Sequence, residues 1–130
     1  MTRHLQTEDD MAGERHAVFV YGTLRRGGCY HETLAGSRFL KKVRTEPEYT
    51  LIDLGAYPGM LPSGNTSVAG EIYEVDDEVL RRLDELEECP DLFIRARVAL
   101  LGQDAVWGYL YRGGVETEIP CITSGDWFAR

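Results

Sequence analysis

Short apolar runs broken by glycine and proline set the pattern of this chain, and only one segment has helical spacing over several turns. His16 to Tyr21 is a β-branched and aromatic run that ends at Gly22-Thr23, the pattern of a buried strand entering a tight loop. Arg25-Arg26-Gly27-Gly28 extends the loop, and the spacing predicts a short helix over Tyr30 to Ala35, stopped by Gly36. Phe39 to Arg44 and Tyr49 to Leu54 read as strands. Gly55-Ala56-Tyr57-Pro58-Gly59 breaks the second one, and Pro62 to Ser67 reads as a polar turn. Val68 to Val75 alternates as a strand, with Gly70 inside it marking a bulge or a close approach. Phe93 to Leu101 and Ala105 to Tyr111 form two more strands, joined through Gly102-Gln103-Asp104 as an antiparallel hairpin. About six short strands with two helices predict a single α+β domain built on a curled mixed sheet or small mixed β-barrel with flanking short helices.

The helical segment runs from Asp76 to Pro90, opening on acidic residues and closing at a proline. Leu80, Leu83 and Glu87 fall on one face at i, i+3, i+7, flanked by Val79 and Leu86, so the Glu87 carboxylate is expected to point inward. Glu78 with Arg82, and Arg81 with Glu85, are four apart and read as surface ion pairs. Burial and the negative end of the helix dipole would both raise the proton affinity of Glu87 toward neutrality, which suits a group that takes and returns a proton. The alternatives are that Glu87 turns out to solvent at the last turn, or satisfies a buried arginine such as Arg95.

Composition narrows the function further. The chain has 130 residues, 43% of them hydrophobic, enough for one domain with one core, expected over residues 16–130. Residues 1–15 are polar and read as a disordered lead-in, with no signal peptide. A net charge of −8 argues against nucleic acid and anionic lipid as partners, and no segment is long and apolar enough to span a bilayer. Three cysteines, Cys29, Cys89 and Cys121, lack paired spacing, and with three histidines there is no zinc pattern. A cytoplasmic protein with reduced thiols and no metal is the expectation.

Tyr21-Gly22-Thr23-Leu24-Arg25 is the second candidate for chemistry. A glycine just past a buried strand lets successive backbone N–H groups converge into a nest for a carboxylate or a developing oxyanion, and Thr23 adds a hydroxyl. The simpler alternative is that the loop only turns the chain. Cys29 and His31 lie two positions apart, which says little about contact, and His31 fits a structural role. Cys89 reads as a packing residue at the helix end, and Tyr57, Tyr73, Tyr109 and Tyr111 as core or rim aromatics.

Together these segments resemble the gamma-glutamylcyclotransferase-like family, especially its gamma-glutamylamine cyclotransferase branch. The matching residues run in order: Val20 to Arg25, His31, Tyr57-Pro58-Gly59, Val68 to Tyr73, Leu83 to Glu87, Cys89-Pro90, Arg95 and Gly125-Asp126-Trp127. The resemblance implies a mixed β-barrel with flanking helices, and a reaction in which the α-amine of a γ-glutamyl compound attacks its own γ-carbonyl. That reaction releases 5-oxoproline and a free amine and uses no cofactor. It also implies that Tyr21, Gly22, Thr23 and Leu24 hold the glutamyl group and that Glu87 is the catalytic carboxylate. The chain departs from the family in carrying Phe93 where a tyrosine is common. Two competing classes remain: a noncatalytic module binding a small carboxylate in the same fold, and a cysteine-dependent hydrolase using Cys29 or Cys89.

Overall fold

The computed structural model describes residues 14–115 and 118–130. The expected lead-in therefore falls outside the described residues except for Glu14 and Arg15. Seven strands, one α-helix and two single-turn 3-10 helices follow in the order β1 (Arg15–Val20), a 3-10 turn (His31–Leu34), β2 (Arg38–Arg44), β3 (Tyr49–Asp53), β4 (Pro58–Thr66), β5 (Ala69–Asp76), α1 (Asp77–Leu86), β6 (Phe93–Leu100), β7 (Gln103–Tyr111) and a closing 3-10 turn (Trp127–Ala129). The α+β class is as expected. The helix foreseen over Tyr30 to Ala35 is only the first 3-10 turn.

The main sheet has the order β2-β5-β1-β7-β6, with β1 and β7 parallel and the other neighbours antiparallel. It curls but does not close into a barrel ladder. Its two edges meet at one end through the Thr45–Leu100 bridge, where Glu46 N–H donates to Ala99 (3.0 Å) and Leu101 N–H to Arg44 (3.0 Å). The expected hairpin is β6–β7, turning at Leu101-Gly102, with Gly102 at φ 74°.

β4 was not foreseen. Pro62 to Ser67 is not a free turn but largely strand, paired with β3 as a separate two-stranded ribbon. The register jumps from Tyr49↔Thr66 to Thr50↔Leu61, so Pro62 to Asn65 bow out of the ladder. A bulge accommodates the missing proline N–H and the left-handed Gly64 (φ 131°), so turn-forming residues sit within a strand.

Period-two alternation in β1 divides the core. Val18 and Val20 pack with Leu80 and Leu83 of α1, Leu34, Tyr73 and Phe93, whereas Phe19 and Tyr21 face Leu51, Met60, Ile72 and Trp127. Strand β1 thus ends between two packed layers, and its following loop emerges at their edge. Gly70 fulfils the expectation of close approach: a β-carbon there would lie 2.6 Å from the Phe19 ring.

Candidate active site

Helix α1 starts as its acids predict, with the Asp76 carboxylate capping Val79 N–H at 2.9 Å. Leu80 and Leu83 are buried, Val79 and Leu86 half-buried, and the Glu78–Arg82 and Arg81–Glu85 pairs form at 2.7 and 3.0 Å. The helix ends before Glu87, which is its C-cap and still donates its N–H to Leu83 at 2.9 Å. Beyond it Glu88 takes φ 53°, while Glu88 N–H bonds Glu85 and Cys89 N–H bonds Asp84. These two reversed bonds make a Schellman stop, with glutamate in the left-handed position that glycine usually fills.

The stop swings the Glu87 side chain into a cavity of about 280 Å³. Phe19, Val20, Tyr21 and Tyr109 line it together with the loop residues Gly22, Thr23 and Leu24. Leu86, Glu87, Leu92, Phe93, Tyr57 and Pro58 also line it, and the exposed lining residues Tyr30 and Glu88 mark its rim. All five predicted site residues, Tyr21, Gly22, Thr23, Leu24 and Glu87, therefore meet around one space.

Burial pushes the Glu87 carboxyl from 4.5 up to about 7. Among the described residues no cation offsets that burial, and the candidate partner Arg95 is held by Asp84 at 3.0 and 3.2 Å. Tyr109 donates its hydroxyl to the same Asp84 at 2.6 Å. The Tyr21 hydroxyl donates to the Tyr109 carbonyl at 2.7 Å and accepts from Met60 N–H at 3.1 Å. Burial first, and then the nearby Glu87 charge, hold the Tyr21 phenol well above its ordinary range. Both tyrosine hydroxyls are thus committed as donors within the protein.

The loop after β1 is built differently. Arg25 N–H closes a turn on Gly22, and Tyr30 N–H donates to the Thr23 carbonyl. Among the described residues, no acceptor takes the N–H groups of Gly22, Thr23 or Leu24, which leaves them for a ligand. Gly22 is needed sterically as well, since a β-carbon would lie 2.6 Å from the Pro58 ring. His31 uses Nδ1–H to bond the Leu24 carbonyl at 2.9 Å, a structural role that fixes the loop's far end. Cys29 is exposed on the same loop, and neither Cys29 nor Cys89 lines the cavity.

Sequence reasoning missed what anchors this loop. Glu71 is 2% exposed and accepts from Arg26 N–H (3.0 Å) and the Tyr73 hydroxyl (2.9 Å). Arg25 is also buried; its Nε lies 3.7 Å from Glu71, its terminal nitrogen donates to Asp126 at 2.7 Å, and its guanidinium stacks on Phe128. Asp126 in turn caps Phe128 N–H at 3.0 Å. Burial works to raise the Asp126 pKa, but the Arg25 and Phe128 hydrogen bonds and the charges of Arg25 and Arg44 outweigh it and lower the pKa. The available signal was Glu71 itself, a carboxylate between apolar positions of a central strand.

With that geometry in place, comparison with known proteins is decisive. The family described as "Gamma-glutamyl cyclotransferase, AIG2-like" matches residues 18–129. The chain belongs to this family. A Vibrio cholerae protein with the gamma-glutamylcyclotransferase name is 44% identical over 116 residues, covering 89% of this chain and 98% of its own. The gamma-glutamylaminecyclotransferase of Bos taurus is 41% identical over 105 residues; the match covers 72% of this chain and 62% of the bovine protein. Among solved structures, an AIG2-like protein from Mus musculus aligns at TM-score 0.69 with 28% identity, over 87% of this chain and 89% of that one. A uropathogenic E. coli protein aligns at TM-score 0.78 with 26% identity, over 89% and 94%.

Proposed function

We propose that this member of the gamma-glutamylcyclotransferase family converts a γ-glutamyl amine into 5-oxoproline and a free amine, with Glu87 as the proton shuttle. The observation that carries the assignment is a carboxyl, raised by burial to about 7, that lines one cavity with loop N–H groups; among the described residues the carboxyl has no cationic partner and the N–H groups have no acceptor. The Gly22 to Leu24 N–H groups receive the glutamyl carboxylate, which fixes the substrate's inner end. The ionised Glu87 takes a proton from the α-ammonium, and the freed nitrogen attacks the γ-carbonyl carbon to close a five-membered ring. Glu87 then gives that proton to the leaving nitrogen as the old C–N bond breaks, takes the second proton from the ring nitrogen and passes it to the released amine, so that the amine leaves as an ammonium and the carboxylate is regenerated. One group near neutral pKa serves both transfers.

Holding the amine and carbonyl in contact replaces a bimolecular encounter, which contributes up to about 7 to 11 kcal/mol when the geometry is well aligned. No covalent enzyme intermediate is involved, so the cysteines are spectators. No helix among the described residues is long and apolar enough to cross a membrane, and the three cysteines are free, which supports a cytoplasmic setting; recovery of the native protein in a secreted or membrane fraction would contradict that setting. The reaction is tested by incubating the protein with a γ-glutamyl amide and its N-acetyl derivative. The free amine form is expected to yield 5-oxoproline and the acetylated form nothing, whereas release of glutamate would show attack by water.

A further inference from the structure

Glu88 is in an unfavourable place for a glutamate. Its φ of 53° lies in the left-handed region, where a side chain is disfavoured and glycine is not. The stop of α1 needs that conformation at this position, yet the residue carries a carboxylate, exposed at the cavity rim and without an ion-pair partner among the described residues. Tyr57 lines the same cavity as Glu87 and Glu88, and burial, then Tyr111, then the charges of Glu88 and Glu87 raise its pKa. Tyr30, largely exposed, adds a second aromatic face to the rim. Among the described residues, the cavity lining contains no lysine or arginine.

The order of groups along the substrate decides which half meets this rim, because the γ-amide separates the glutamyl end from the leaving amine. With the glutamyl carboxylate on the loop and the scissile nitrogen at Glu87, the leaving amine extends past Glu88, Tyr57 and Tyr30. A carboxylate and aromatic faces with no opposing cation favour an ammonium and disfavour a second carboxylate.

We propose that Glu88, with Tyr57, selects for a leaving amine that carries a positive charge and against one that carries a carboxylate. The proposal rests on the cyclotransferase reading and names the substrate class for it. In such a substrate the glutamyl half is zwitterionic and the other half ends in an ammonium a few bonds from the γ-amide.

The test uses three γ-glutamyl amides of matched length, made from propylamine, 1,3-diaminopropane and β-alanine, with 5-oxoproline release measured on wild type, Glu88→Gln and Glu88→Gly. An exposed charge contact changes kcat/KM by about two- to fivefold, so the cationic amide is expected to exceed the anionic one by roughly tenfold in wild type. Both variants should reduce that ratio to about one- to threefold, and because the ratio is taken within each variant it cancels any common change in turnover. Glu88→Gly should be at least as stable as wild type, which separates loss of selectivity from loss of fold. Equal rates for the three amides in wild type, or an unchanged ratio in both variants, would overturn the role of Glu88. Absence of 5-oxoproline from all three amides would overturn the cyclotransferase reading and this inference with it.

Discussion

Replacing Glu87 with glutamine is expected to stabilise the protein at alkaline pH relative to its effect at acid pH. Burial raises the folded-state carboxyl from 4.5 to about 7. Between those values the unfolded chain has lost this proton while the folded chain keeps it, so stability falls as pH rises, by about 1.4 kcal/mol per pH unit. Below that window the carboxyl is neutral in both states and carries no penalty. Above it both states are ionised and the penalty is constant. The full shift would correspond to roughly 3 kcal/mol, and the partial exposure of Glu87 reduces this to about 2 kcal/mol. The glutamine amide does not titrate, so wild type should lose about 2 kcal/mol relative to Glu87→Gln between about pH 5 and pH 8. Urea unfolding of both proteins at the two pH values measures this, and subtraction at each pH cancels the titrations they share. A difference independent of pH would mean that the carboxyl is hydrated and ordinary. A change of opposite sign would mean that it has a cationic partner.

Turnover should follow the same group: kcat/KM is expected to rise with pH through about 7, because only the ionised carboxylate can accept the ammonium proton; a flat profile across that range would remove Glu87 as the base. Gly22→Val places its β-carbon against Pro58 and is expected to cut affinity for 5-oxoproline at least tenfold, whereas Thr23→Ser, which keeps N–H and hydroxyl, changes it little; calorimetry that finds normal binding in folded Gly22→Val would move the glutamyl pocket elsewhere. Asp126→Ala strands the buried Arg25 and should lower stability by about 2 to 3 kcal/mol in urea unfolding and raise KM through a loosened loop, with a silent substitution contradicting the anchoring role.

Much of this site was legible because local periodicity carried it. The alternation of β1 delivered Tyr21 and the loop to the edge of the two core layers, and the Leu80, Leu83, Glu87 spacing aimed a carboxylate inward. Burial raises the Glu87 carboxyl, and as the C-cap of α1 the residue also sits at the negative end of the helix. What remained hidden depends on contacts distant in sequence or on residues in unusual roles. Arg25 and Asp126 are 101 positions apart, and no pattern in either neighbourhood announces their pairing. Strand β4 was masked by Pro62 and Gly64, residues that ordinarily end strands and here bow out of one. The left-handed stop at Glu88 was invisible because its usual marker is glycine. Sheet closure could not be read either: strand count suggested a barrel, but only the Thr45–Leu100 bridge joins the edges.

Turnover by Glu87→Gln, measured beside ligand binding, tests the central claim most directly. The amide keeps the shape of the side chain but cannot accept the ammonium proton. 5-Oxoproline release should fall on the order of a hundredfold or more, while calorimetric affinity for 5-oxoproline stays within a few-fold of wild type. A folded Glu87→Gln protein that keeps more than about a tenth of wild-type turnover would contradict the assignment of Glu87 as the proton shuttle.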